Sequence, residues 1–281
     1  LFVPRVDLMT EFSRYLTSPK PIFVILGKSG VGKSSIVSAL GHQFREDPKT
    51  HILIYDCAKL SDDVTVIDEI VRDFQQQLHS ALAGEPLTLA VLLGYLKEIH
   101  TSKDQYLILV FDAVNESDNP AQVLKGIETL VIQAQAMGFT SLRVVITSRP
   151  QSWVEMCRQN KGIVEQLYYT GEGSDTLAIH VPDFSLAELS DAYERYRTFY
   201  DLTSDYESLS SVQRKLLQDP LQLALMSRAY AGQTLPLEVR PSHIYKTYID
   251  SLLQEHEQGR ARLMPSDIAF LTEVLMPIFI P

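Results

Sequence analysis

Cysteine is nearly missing from this chain: Cys57 and Cys157 are its only two in 281 residues. They offer no spacing for a disulfide framework or a zinc site. Long apolar runs are missing too, since no stretch approaches the roughly 18 residues that cross a bilayer, and the N-terminus has no signal-peptide layout. Basic residues are in deficit, with Lys+Arg 25 against Asp+Glu 35 and a formal charge of -10. That balance argues against a broad nucleic-acid surface and leaves room only for a local basic patch. No G-x-S-x-G, H-E-x-x-H or C-x-x-C occurs, so serine-hydrolase, metalloprotease and zinc readings have no residues to stand on. What remains is an ordinary globular composition, long enough for one large domain or two, with the cytosol as the expected compartment. A chain that starts at Leu1 reads as a piece of a longer protein.

Against those absences stands one dense motif, Gly27 to Ser35 (GKSGVGKSS). It follows the apolar run Ile22–Leu26 and leads into Ile36-Val37-Ser38-Ala39-Leu40, so it reads as strand, glycine loop, helix. Gly27, Gly32, Lys33 and Ser34 fit G-x4-G-K-[ST]. The glycines let backbone N–H groups of Lys28, Ser29, Gly30, Val31 and their neighbours close around phosphate oxygens at a helix N-terminus. In that pattern Lys33 reaches the β- and γ-phosphates, and the Ser34 hydroxyl ligates Mg2+.

The remaining pattern alternates strand and helix. Helical spacing over Leu8, Met9, Phe12 and Leu16 predicts a first helix, ended by Pro19 and Pro21. Strands are expected at His51–Tyr55, Tyr106–Phe111 and Leu142–Ile146, with a weaker one from Leu177 to Val181. Helices are expected at Val64–Ala83, Leu87–His100 and Ala121–Met137, and a short one near Trp153. Unbroken apolar strands imply burial on both faces, hence a three-layer α/β fold with a largely parallel sheet. Gly27, Asp56, Asp112 and Thr147-Ser148-Arg149 each fall just after a strand's C-terminal end, the rim where open parallel sheets hold ligands. From Ser185 onward only helices are expected: a capping box, Ser185 to Glu188, opens one to about Tyr200, with others near 207–218, 220–231, 242–258 and 266–276.

Asp112 ends the apolar strand where a P-loop enzyme needs a carboxylate for Mg2+ opposite Ser34. Glu116 could orient or deprotonate a water. Arg149, on the same rim, could meet a third phosphate. Asp56 reads as a strand-end cap, and His180 and His243 as structural.

In this order the motifs resemble the STAND class of P-loop NTPases, and within it the NACHT type of NOD-like receptors and bacterial defence proteins. Phe2-Val3-Pro4-Arg5 is similar to the family's leading segment, which implies that Arg5 and its neighbours flank the adenine. Gly27 to Ser35 is the Walker A loop. Val110 to Glu116 resembles the NACHT Walker B, in which a tiny residue follows the Mg2+ aspartate and two acids come later. Ala113 and Glu116 match it, while Asn115 replaces the first acid, which argues against fast hydrolysis and not against nucleotide binding. Val145 to Pro150 resembles sensor 1, with Arg149 as its arginine. Asp219-Pro220-Leu221-Gln222-Leu223 resembles the helical-domain motif whose proline, here Pro220, packs on adenine, and Ile244 to Ile249 is similar to that domain's later helix.

The resemblance implies a nucleotide-binding domain over 1–205, a helical domain over 206–264 and the cut start of a winged-helix-like domain over 265–281. It implies an ATP/ADP- and Mg2+-dependent switch of slow turnover, closed with ADP and oligomeric when activated. An effector domain upstream, and winged-helix and sensor domains downstream, would complete such a protein. Two other classes fit parts of the pattern. An initiator-type AAA+ ATPase shares the P-loop, the Asp–Glu pair and the sensor arginine, and adds a bridging arginine finger and a basic DNA-reading domain. A small-molecule kinase needs an arginine-rich lid, for which 151–200 offers only Arg158, Arg195 and Arg197. No N-K-x-D occurs, which tilts the base toward adenine.

Overall fold

The computed structural model describes residues 3–60, 64–77, 87–102, 105–160, 164–171, 176–236 and 243–250. Five parallel strands form one sheet in the order β2-β3-β4-β1-β5. They are β1 (Ile22–Leu26), β2 (Thr50–Asp56), β3 (Tyr106–Asp112), β4 (Leu142–Ser148) and the very short β5 (Ile179–His180). The apolar runs are buried on both faces because alternate residues feed two separate cores. Ile22, Val24, Leu109, Phe111, Val144 and Ile146 join one cluster, under α3 (Val66–Gln77), α4 (Leu89–Ser102), α5 (Pro120–Ala136) and α6 (Pro150–Gln159). Phe23, Ile25, Ile108, Val110 and Val145 join the other, under α1 (Val6–Thr17) and α2 (Lys33–Phe44).

Two polar side chains sit where the sequence promises only apolar ones. Tyr15 of α1 is fully buried; its hydroxyl donates to the Pro21 carbonyl at 2.6 Å and accepts from the Val144 amide at 2.9 Å. Burial raises its pKa far above the phenol range, so it stays a neutral donor. Arg143 in β4 donates to the Leu16 and Ser18 carbonyls at 3.2 and 3.1 Å, satisfying acceptors at the C-terminus of α1. Together they bolt the first helix to the centre of the sheet.

The second half is helical: α7 (Leu186–Tyr200), α8 (Ser211–Leu217), α9 (Pro220–Ala229) and a helical stretch over 243–250. The Ser185–Glu188 capping box forms, with the Ser185 hydroxyl accepting from the Glu188 amide and the Glu188 carboxylate from the Ser185 amide. Leu189, Ala192 and Tyr193 of α7 share a core with Leu217, Leu223, Met226 and Ile244. The same core takes in Phe184 and, from the far N-terminus, Val3. Phe184 and α7 thus pack into the same core as α8 and α9. The expected helices over 266–276 and beyond 250, and the winged-helix start at 265–281, lie outside the described residues. Among the described residues no helix is long and apolar enough to cross a membrane.

Candidate functional site

The loop between β1 and α2 takes its shape from its glycines. Gly30 and Gly32 hold φ of 74° and 99°, which L side chains rarely adopt. A Cβ at Gly27 would lie 2.5 Å from the Val31 side chain, so the loop's tight first turn requires glycine there. Gly32 is the N-cap of α2 and gives it no side-chain cap. The first-turn N–H groups of a helix lack intrahelical acceptors, so this end is prepared for an anion. Lys33 folds back across the loop, donating to the Gly27 and Lys28 carbonyls at 2.7 and 3.1 Å. Burial lowers its pKa, and Arg149 lowers it further, while Asp112 and Glu116 pull it back up. Those four charges therefore share one field, although they come from three separate segments. Ser34 and Ser35 stand exposed in the first turn of α2.

The opposite wall is made by the tips of β3 and β4. Asp56 and Asp112 lie in register at the ends of β2 and β3. Thr147, fully buried, donates its hydroxyl to Asp112 Oδ1 and accepts from the Ala113 amide at 2.8 Å. One hydroxyl thus orients the candidate metal-binding carboxylate and fixes the turn after it. Ala113 sits in the left-handed region at φ 56°, ψ 47°, which β-branched and bulky side chains rarely adopt. The reversal aims Asn115 and Glu116 at β4. Asn115 Oδ1 accepts from the Arg149 amide at 3.0 Å, and the Arg149 guanidinium reaches Glu116 at 3.4 Å. The departure from an acid at 115 is thus a strand-tip clasp. Asp56 acts as the expected cap, accepting from the Ala58 amide at 3.2 Å.

The residues fit a nucleotide and Mg2+. No group of three or more His, Cys, Asp or Glu able to hold a metal occurs among the described residues. Mg2+ needs none: it keeps several waters and is held by one or two protein oxygens together with substrate phosphates. Asp112 and Ser34 offer oxygens of that kind, and Lys33 with the N-terminus of α2 would suit the anion.

Pro220 lies one residue before the side chain that meets the phosphate loop. It occupies the first position of α9, buried, with Asp219 capping the helix through the Leu221 amide at 2.9 Å. Leu221 lies against the tip of the loop, so close that a Cβ on Gly30 would fall 2.9 Å from it. Arg5 is elsewhere engaged. Its guanidinium, 5% exposed, donates to the Pro182 and Asp183 carbonyls, pairs with Glu188 at 3.2 Å and lies 4.8 Å over the Phe184 ring. These contacts fasten the N-terminal segment to the chain around Phe184 and α7. Phe2, its neighbour in that segment, lies outside the described residues. Arg158, Arg195 and Arg197 pair with Glu155, Asp191, and Glu194 with Asp205, which removes the basis for a phosphate-clamping lid.

Sequence reasoning missed the roles of Thr147, Asn115, Asp183 and Asp219. The Thr-Ser-Arg run after a strand marked the right rim, but nothing in its spacing told which hydroxyl faced which carboxylate.

Residues 16–151 match a family model described as an AAA domain. No curated protein matches the chain. A Walker-type ATPase of Pyrococcus abyssi aligns with a TM-score of 0.57 at 16% identity, covering 92% of this chain and 76% of its own. Cdc6p of Pyrobaculum aerophilum gives 0.51 at 17%, covering 95% and 67%. The ORC1 protein of Aeropyrum pernix, solved in complex with DNA, gives 0.50 at 12%, covering 94% and 69%. At such identities the likeness is one of fold. These matches carry a P-loop ATPase fold, with likeness to an AAA domain over residues 16–151, and they lend the NACHT and defence-protein resemblance no support.

Proposed function

Starting from a P-loop ATPase with an AAA-type domain over residues 16–151, we propose that this chain is an ATP/ADP-binding, Mg2+-dependent switch of the initiator AAA+ kind, with slow hydrolysis. The observation that carries it is the pair Arg149–Glu116, 3.4 Å apart beside Lys33. A third phosphate would give Arg149 a stronger partner and leave the Glu116 carboxylate to position water. Nucleotides that differ by one phosphate would then make different contacts here, which a switch requires. Lys33 would exchange two carbonyls for phosphate oxygens. Asp112, held by Thr147, would share Mg2+ with Ser34.

The likeness to Cdc6p and to an ORC1 protein solved with DNA supports the initiator class over the STAND switch. Against a direct DNA surface on these residues stands the charge of -10; DNA contact would have to come from a local patch or from chain beyond them. A STAND switch remains the second reading, favoured by the tiny residue Ala113 after Asp112, which turns the chain through the left-handed region. In either class the active form would be an oligomer.

Arg149→Ala tests the central observation: ATP affinity falls roughly tenfold while ADP affinity holds, as isothermal titration would read. Equal loss for both nucleotides would remove the sensor role. The class is decided by the nucleotide released on denaturing the purified protein, followed by turnover with and without Mg2+ and duplex DNA. Turnover raised by DNA supports the initiator class, and tightly held ADP with slow, DNA-indifferent turnover supports the STAND reading.

A further inference from the structure

Lys28, the second residue of the phosphate loop, points its side chain away from the loop's interior and toward the helical lobe. Its Nζ lies 2.8 Å from Asp183 Oδ1 and 2.8 Å from Asp219 Oδ2. Asp183 stands between β5 and α7, and Asp219 is the residue that caps α9. Two residues along the same loop, Gly30 packs against Leu221 in the first turn of that helix. The loop therefore grips one helical turn twice, once by charge and once by packing.

The electrostatics give this clasp a direction. Two carboxylates at the mouth of an anion site would repel a polyphosphate, and one ammonium between them neutralises part of that field. The same ammonium holds the turn carrying Pro220 over the loop. Lys28 is about half exposed, as is Asp183, so the contact lies in a regime that salt screens and that contributes modestly. A modest, screenable contact is suited to a joint that must open.

We propose that the Lys28 side chain is an interlobe tether: its pairing with Asp183 and Asp219 holds the helical lobe closed over the phosphate loop and slows nucleotide release. The nucleotide-release part rests on the switch function proposed above; the closure does not.

The decisive variant is Asp183→Asn with Asp219→Asn, which leaves the phosphate loop untouched and keeps a good N-cap on α9. Spin labels at Lys125→Cys in α5 and Val212→Cys in α8, both exposed, report the distance between lobes in nucleotide-free protein with Cys157→Ser. The parent gives a short, narrow distribution; the double variant, and the parent in about 1 M NaCl where screening reaches ~3 Å, give a longer and broader one. MgADP then dissociates roughly two- to tenfold faster from the double variant. Overlapping distributions in all three samples would overturn the tether. A wider distance with unchanged ADP release would overturn its role in retention. Protein that binds no nucleotide at all sinks the switch function while the distances still decide the closure. Lys28→Gln, read by distance alone, gives the same opening should the aspartate variant fail to fold.

Discussion

The rim of the sheet and the seam between the lobes bring distant residues together by different means. At the rim, Asp112, Thr147, Asn115 and Arg149 meet because β3 and β4 run parallel in fixed register, so residues about 35 apart in sequence end side by side. Their hydrogen bonds are short, their backbone is pinned, and Thr147 and Ser148 are fully buried. At the seam, Lys28 reaches Asp219 across 191 residues and Arg5 reaches Pro182 across 177. No ladder dictates those meetings; side-chain charge and the packing of Leu221 and Phe184 do. A rim of this kind presents chemistry in one geometry, whereas a seam of this kind permits two.

Substitutions can break that contrast in order of size. Ile146→Ala, in the fully buried centre of β4, should lower unfolding stability by about 2–5 kcal/mol in urea titration, with no dependence on salt. A cost under about 1 kcal/mol would mean the sheet platform is less tightly packed than its burial implies. Lys33→Ala comes next: nucleotide affinity should fall roughly a hundredfold by calorimetry, and retained micromolar ATP binding would sink the assignment of the loop. Glu116→Gln should slow ATP turnover at least about tenfold while binding holds; unaltered turnover would pass the water-positioning role to another group. Smallest, Ser185→Ala removes the cap of α7 and should cost about 1 kcal/mol. Because α7 belongs to the helical lobe's core, that loss should register in melting of the lobe and leave nucleotide affinity unaltered.

The rim was far more legible in the sequence than the seam. Apolar runs ending in Gly27, Asp112 and Thr147 mark strand ends whatever the tertiary context, and the loop's glycines announce their own backbone angles. β4 was read two residues short because Thr147 and Ser148 look like loop, yet they pair with Ile25 and Leu26 of β1. β5 was weak for a physical reason: two residues carry almost no periodicity, and the strand exists because β1 accepts it. Ser185 to Tyr200 reads equally well as a last sheet-covering helix. Only the packing of Leu189 and Tyr193 against Leu223 and Met226 assigns it to the helical side. The contacts of Arg5 with Pro182, Asp183 and Glu188 were not legible, because a resemblance can place a segment but not say which way its side chain turns.

That two-residue β5 has a consequence for how the protein behaves when cut. β1, the strand that carries the phosphate loop, is fenced on one flank by β4 and on the other, among the described residues, by the two residues of β5, with the Tyr169 amide donating to the Ile22 carbonyl and the Val181 amide to the Leu26 carbonyl. A fragment ending after α6 would strip that fence and present an unpaired hydrophobic strand, Ile22 to Leu26, to every other copy in solution. Open edges of that kind template strand addition. Such a fragment would keep the phosphate loop, Asp112, Glu116 and Arg149 and be lost to aggregation, whereas one running through Val181 would keep that flank of β1 covered.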